Sequence, residues 1–265
     1  MDTLPRKYAL VTGASSGIGL QYARQLAARG YCPVLVSNRQ EENERAAAGI
    51  AADYKVEVHS LCMDLSAADA ARKLFEWAEE HGIEIEVLVC NAGILLWGSL
   101  TDAAPERLQR IIALHCTTPT LLCRLYGDRM RTRGRGAILL MSSSTAWMPY
   151  PTIAAYAATK SYLRSFARSL HDELSLYGVT VTAVYPGAVD TPLYDLDEKR
   201  RKMFLRCGVM STPESVARKG LRALFRGRRQ CIPGFFTKLC VAACRLLPAA
   251  AMGAIIRIPA VRRLL

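Results

Sequence analysis

Thr12-Gly13-Ala14-Ser15-Ser16-Gly17-Ile18-Gly19 follows directly on the apolar run Tyr8-Ala9-Leu10-Val11. A short buried strand therefore runs into a glycine-rich turn. Beyond the turn, Leu20, Ala23, Leu26 and Ala27 recur at helical spacing. Glycines let the backbone bend sharply there and let a pyrophosphate come close. The helix that follows aims unpaired N–H groups at such an anion. Three residues separate Gly13 from Gly17 and one separates Gly17 from Gly19. This is not the commoner G-x-G-x-x-G spacing.

Outward from this turn the pattern repeats. Apolar runs predict strands over 8–11, 33–36, 56–62, 87–90, 137–141 and 179–184, with a seventh around 230–232. Amphipathic stretches separate them, such as that through Ala71, Leu74, Phe75 and Ala78. Continuous apolar strands alternating with helices predict an α/β chain: a doubly wound, mostly parallel sheet with helices on both faces. Its ligands belong at the carboxyl ends of the strands. At 265 residues the chain can bury a large core.

The net charge is +12, and it is unevenly placed. No Asp or Glu follows Glu214, whereas 11 Lys and Arg do, so residues 1–214 carry a net +1. The basicity belongs to the end of the chain. Nine cysteines are scattered singly with no C-x-x-C pair, which predicts reduced, buried thiols in a cytoplasmic protein and no metal site. The short polar start, Met1 to Lys7, does not read as a signal peptide.

Two further constellations carry chemistry. Tyr156-Ala157-Ala158-Thr159-Lys160 sits in a predicted long helix, so tyrosine and lysine share one face. An ammonium beside a phenol stabilises the phenolate and makes it a usable acid or base. Ser142-Ser143-Ser144 falls at the end of the fifth strand, 13 residues before Tyr156 in the case of Ser143. A hydroxyl there could donate to a carbonyl oxygen that gains charge.

Together these residues resemble the short-chain dehydrogenase/reductase family in its single-domain branch. The likeness runs from residue 6 to about 192. It covers the glycine turn, Asp64, Asn91-Ala92-Gly93, Ser143, the run from Tyr156 to Lys160, and Pro186-Gly187 with Thr191. The resemblance implies a Rossmann-type domain, set over 1–232, while the charge and helical spacing of residues 233–265 mark them as a basic, apolar tail, the least family-typical part. It implies Tyr156 as general acid or base, Lys160 as partner of the nicotinamide ribose, and Ser143 as the group that polarises the substrate carbonyl. Gly13, Ser15, Ser16, Gly17, Ile18 and Gly19 would cradle the cofactor phosphates. Asp64 and Leu65 would meet the adenine. Asn91, Ala92, Gly93, Pro186, Gly187, Val189 and Thr191 would line the cofactor cleft. A homodimer or homotetramer built on the helices carrying His115 and Tyr156 is implied as well.

One position departs from the family pattern. His115 occupies the slot where the family usually has an asparagine that supports a proton relay, and it could either relay a proton or simply pack. Asn38 and Arg39 end the second strand where an acidic residue would favour NAD. The guanidinium suits a 2′-phosphate, so NADP(H) is expected. Leu95, Trp97, Trp147, Tyr150 and Tyr194 ring the expected substrate pocket. Their apolar character points to a ketone or secondary alcohol of hydroxysteroid-like or 3-oxoacyl-like type. A protein of the same fold that only senses or scaffolds through NADP(H) is the alternative.

The tail has two readings. Phe235, Phe236, Leu239, Ala243, Leu246 and Leu247 recur at helical spacing, with Lys238 and Arg245 on another side. Such a helix could lie on a membrane surface or pack on the body. No run approaches the length of about 20 residues that spans a bilayer. Nothing resembles a nucleic-acid-recognition motif.

Overall fold

A computed structural model of the chain describes residues 6–147, 152–191, 202–203, 205 and 207–246. Seven strands form the central sheet: β1 (Lys7–Thr12), β2 (Tyr31–Ser37), β3 (His59–Cys62), β4 (Ile85–Cys90), β5 (Gly136–Met141), β6 (Val179–Val184) and β9 (Gln230–Cys231). Their order is β3-β2-β1-β4-β5-β6-β9, and every neighbouring pair is parallel. A minor pair, β7 (Ala188–Val189) with β8 (Met210–Ser211), lies outside it.

The strands alternate between two cores, with one register shift early in β4. Leu10, Leu88, Ile138 and Leu140 face one layer, while Ala9, Val11, Val89 and Leu139 face the other. Helices α3 (Ala70–Glu80), α5 (Thr118–Thr132) and α6 (Ala154–Ser175) cover the first face through Leu74, Leu122, Tyr126 and Leu163. Helices α1 (Gly17–Ala27), α2 (Gln40–Tyr54) and α7 (Pro213–Leu224) cover the second through Tyr22, Leu26, Ile50 and Leu221. The crossovers change sides between β1 and β4. That opens the crevice at their carboxyl ends where doubly wound sheets bind ligands.

The expected strand over 56–62 pairs only from His59 onward, where His59 aligns with Val34. Lys55 closes α2 in the left-handed conformation, and residues 56–58 serve as the connection into the strand. Helix α4 (Pro105–Ile112) continues into α5 through one π-helical turn, Ala113–Thr117, with His115 at its centre. Such turns insert an extra residue into the helix and concentrate at functional sites.

Of the nine cysteines, none is paired. Cys32, Cys90 and Cys123 are buried as expected, but Cys62, Cys207 and Cys240 are exposed, on an edge strand, a loop and a terminal helix. No helix among the described residues is long and apolar enough to cross a membrane.

Candidate active site

The glycine turn is locked to the end of β4. Thr12 Oγ1 accepts the N–H groups of Asn91 and Ala92 at 2.9 and 3.0 Å. The Asn91 amide donates back to the Thr12 and Gly13 carbonyls at 3.0 and 3.3 Å. Gly13 holds φ +65°, and a Cβ there would stand 2.9 Å from Ala92 Cα. A Cβ on Gly19 would overlap the Gly13 carbonyl oxygen and stand 2.6 Å from Asn91 Nδ2. Both positions need glycine, one for conformation and one for space.

Two adjoining cavities open on this turn. The larger, ≈ 340 Å³, is lined by Gly13, Ser15, Ser16, Gly17 and Ile18 on one side, Asn38 and Arg39 on another, and Asp64, Leu65 and Arg110 on a third. Ser37 Oγ accepts the Arg39 N–H at 3.2 Å and donates to Ser15 Oγ at 3.0 Å, tying the end of β2 to the turn. Asp64 pairs with Arg110 at 3.0 Å. Partial burial pushes the Asp64 carboxyl up, but two hydrogen bonds from Ser66 and the Arg110 charge outweigh it and hold it below the usual range.

The smaller cavity, ≈ 110 Å³, brings together Ser143, Tyr156, Lys160 and His115 with Pro186, Gly187, Val189 and Thr191. Ile18, Asn91, Gly93, Ile94 and Thr191 line both cavities, so the two are one continuous cleft. Ala92 lines only the larger part. Six different strand ends thus supply one cleft: β1, β2, β3, β4, β5 and β6.

Lys160 is buried, and its ammonium donates to the Met141 carbonyl at 3.0 Å. Ser142 Oγ donates to the Lys160 carbonyl at 2.8 Å, a reciprocal lash between α6 and the end of β5. Lys160 Nζ lies 5.4 Å from the centre of the Tyr156 ring. Burial lowers the Lys160 ammonium to about 8. Ser143 Oγ accepts the Thr145 N–H at 3.2 Å.

His115 has both ring nitrogens engaged. Nε2 faces the Ile94 N–H at 3.1 Å, so it is the acceptor. Nδ1 then carries the proton and faces Thr159 Oγ1 at 2.9 Å, while that hydroxyl donates to the Tyr156 carbonyl at 2.8 Å. The ring also meets Tyr156 edge-on at 5.6 Å. Burial, and then the charge of Lys160, hold His115 well below the usual imidazole range. The ring is neutral and bolts the Asn91–Ile94 turn to helix α6.

The residues expected around the substrate are dispersed. Leu95 is half-buried and Trp97 is 58% exposed, and neither lines the cavities. Ile94 does so instead. Trp147 stacks between Arg164 and Arg245 rather than facing the cleft. Tyr150 and Tyr194 lie outside the described residues. Thr12, Arg110 and Met141 belong to the site or its bracing and escaped sequence reasoning. Only Thr12 had a signal, as the last residue of the strand before the turn.

Comparison with known proteins agrees with this geometry. The family model for short chain dehydrogenases matches residues 7–202. A very-long-chain 3-oxoacyl-CoA reductase from Danio rerio is 33% identical over 197 residues, 71% of this chain and 59% of that protein. A 17-beta-hydroxysteroid dehydrogenase type 3 from the same organism is 32% identical over 192 residues, 71% of this chain and 62% of that one. The chain thus spans about three-fifths of the length of the curated relatives it matches. A short-chain dehydrogenase from Sphingobium yanoikuyae in complex with NADPH superposes with a TM-score of 0.79 at 27% identity, over 96% of each chain. The chain belongs to the short-chain dehydrogenase family.

Proposed function

We propose that the protein is an NADP(H)-dependent oxidoreductase acting on the carbonyl or secondary alcohol carbon of an apolar substrate. The observation that carries this reading is the shared cavity: Ser143, Tyr156 and Lys160 line one space continuous with the glycine-turn cleft. The fit of a dinucleotide rests on the same cleft. Side chains at Gly13 and Gly19 would collide with Ala92, Asn91 and the Gly13 carbonyl and so distort its wall, which Asn91 ties to the end of β1. The nicotinamide, when bound, supplies or accepts hydride. In reduction, the Tyr156 hydroxyl gives its proton to the substrate oxygen while Ser143 holds that oxygen. The Lys160 ammonium stabilises the phenolate left behind until a solvent proton replaces the one given.

Arg39 supports NADP(H) over NAD(H). Its guanidinium stands on the wall of the larger cavity and makes no ion pair among the described residues, leaving its fork open to a 2′-phosphate. Ile18, Ile94, Met141 and Val189 give the smaller cavity its apolar lining, which supports an apolar ketone. The relatives' names offer both the oxoacyl and the steroid form. The test is NADPH consumption across a panel of apolar ketones, repeated with NADH. Turnover with NADPH preferred at least about tenfold is expected, since each lost charge-assisted contact is worth about 1.5–3 kcal/mol. Tight NADPH binding without turnover across the panel would instead favour a sensor.

His115 and Lys160 set the pH behaviour. His115 is a positioning residue in this reading. It accepts the Ile94 N–H, reaches the Tyr156 carbonyl through Thr159, and stays neutral. The free protein's kcat/KM therefore shows no inflection near 6.5 and falls as pH passes about 8, where Lys160 loses its charge. Stability moves the other way. The folded value of Lys160 lies below its unfolded value, so burying the charged lysine costs stability at pH below 8. That cost, roughly 3 kcal/mol, is relieved between about 8 and 10.5. His115→Ala should lower kcat while leaving the profile's shape intact. An acidic limb near 6.5 that this variant removes would restore the relay.

Residues 1–232 are proposed as the catalytic unit, with the tail appended. Nine unpaired thiols support a reducing compartment such as the cytoplasm. A homo-oligomer through α5 and α6 is supported by exposed Leu121 and Tyr162, with Tyr162 bonded to Thr120 at 2.7 Å across the two helices. Light scattering that finds a monomer would remove it. Contact with a membrane is supported at α8 (Phe235–Leu246). Phe235, Leu239 and Leu246 are 84%, 59% and 85% exposed while Thr237 and Val241 dock on the body. Residues 247–265 lie outside the described part.

A further inference from the structure

Ser143 leads straight into a single 3₁₀ turn, Ser144–Trp147. Hydrogen bonds tie the serine to that turn. The Thr145 N–H donates to Ser143 Oγ at 3.2 Å, and the Ala146 N–H donates to the Ser143 carbonyl at 3.1 Å. The Ser144 N–H reaches across to the Pro186 carbonyl at 2.9 Å. Where the turn moves, the serine hydroxyl moves with it.

Trp147 ends the turn and is held by two cations. The Arg164 guanidinium carbon lies 3.6 Å from its ring centre and that of Arg245 lies 4.0 Å away. One face has no room for both at such distances, so each arginine takes its own. Arg164 belongs to α6, the helix that carries Tyr156 and Lys160, and Arg245 belongs to α8. The Tyr185 ring meets the indole edge-on at 5.7 Å. An indole face is the best aromatic partner for a cation.

Along α8, Thr237, Val241 and Arg245 are spaced by four and form one stripe. Thr237 and Val241 are buried. A Cβ on Gly187 would stand 2.6 Å from Thr237 Oγ1, so the start of the helix rests on Gly187. Its end rests on Trp147. Gly187 and Ser143 both line the smaller cavity, whereas no residue of α8 lines either cavity. Eight residues of helix, about 12 Å, therefore bridge two walls of the catalytic space from outside it.

We infer that α8 positions Ser143 for the reaction. Arg245, through Trp147, fixes the turn that carries the serine, and Thr237 fixes the adjoining wall at Gly187. These are positioning residues, since none touches the reacting atoms; the inference rests on the reading of Ser143 as the group that holds the substrate oxygen. The cofactor end of the cleft has its own bracing. Thr12 and Asn91 hold the glycine turn, and the Met141 carbonyl holds Lys160. Loosening α8 therefore slows turnover and spares NADPH binding.

One test needs no substrate: amide hydrogen exchange of residues 144–147 in the full chain. Arg245→Ala should speed exchange at Ser144 and Ala146 by about two- to fivefold. The same variant should lower kcat on an apolar ketone by about three- to tenfold, with NADPH affinity within about twofold of the parent. Trp147→Leu should lose at least as much, and Trp147→Phe, which keeps an aromatic face, should recover most of it. The Arg245→Ala/Trp147→Leu double variant should lose no more than Trp147→Leu alone, because the arginine acts through the ring. Lys238→Gln takes a charge from the exposed side of the same helix and should match the parent in every readout. Should Trp147→Leu fold poorly, Arg245→Ala, at an exposed position, carries the test. Unchanged exchange at Ser144 and Ala146 in Arg245→Ala overturns the proposal whatever the turnover. A kcat like the parent's in that variant, or an equal loss in Lys238→Gln, overturns it while leaving the reading of the reaction intact. A parent that reduces no ketone removes that reading instead, and exchange still decides whether α8 holds the turn.

Discussion

Replacing Tyr156 by phenylalanine lowers turnover by about 10²–10⁴-fold, the usual share of a positioned general acid. The substitution removes one oxygen and keeps the ring. The edge-on contact with His115 at 5.6 Å and the Lys160 ammonium 5.4 Å from the ring centre both survive in kind. So does the bond from Thr159 to the residue's carbonyl, which is a backbone contact. Cofactor affinity and melting temperature should therefore change little, and the loss should fall on kcat. NADPH titration by fluorescence, alongside steady-state kinetics, separates the two. A variant that turns over at the parent's rate would remove the proposed chemistry. A variant that fails to bind NADPH would show that the hydroxyl serves the cofactor instead.

Gly19→Val produces the second large effect, and on binding rather than chemistry. Its Cβ has no room, because the Gly13 carbonyl already fills that position and the Asn91 amide stands 2.6 Å from it. Neither neighbour is a flexible side-chain end free to move. Gly13 is held through Asn91, and Asn91 through Thr12. The turn must shift, and overpacking of this kind costs about 1–3 kcal/mol before any cofactor is present. The displaced turn also loses its fit to the dinucleotide. NADPH affinity should fall at least about a hundredfold, corresponding to about 2.7 kcal/mol. Circular dichroism distinguishes a folded protein with a spoiled cleft from an unfolded one. Unaltered affinity in a folded Gly19→Val protein would mean that the dinucleotide binds elsewhere.

The sheet was readable because strands buried on both faces become uninterrupted apolar runs, and six such runs stood out between amphipathic helices. Boundaries slipped where burial is partial: β3 is an edge strand, and Val56 and Val58 pack without pairing. The cleft residues near the glycine turn, Tyr156 and Lys160 were also legible, since turns and i, i+4 pairs are local and leave local spacing. Arg110 left no such trace. It reaches Asp64 across 46 positions of chain, a meeting made by the packing of α4 beside the carboxyl end of β3. Trp147 was misplaced for the same reason. A tryptophan near a reactive serine suggests a pocket wall, but arginines from two remote helices claim both of its faces. His115 stood between, its slot visible and its bonds to Ile94 and Thr159 hidden in the fold.

The π-helical turn at Ala113–Thr117 gears two halves of one rod. An ordinary α-helix advances 100° per residue, so one surplus residue rotates everything downstream by about that angle relative to everything upstream. Upstream, Arg110 addresses the cofactor groove; downstream, Leu122 and Tyr126 address the oily interior. Excising a single residue from this turn would leave the composition almost untouched. It would nevertheless swing one half out of phase with the other, so point substitutions here are a gentler change than any deletion.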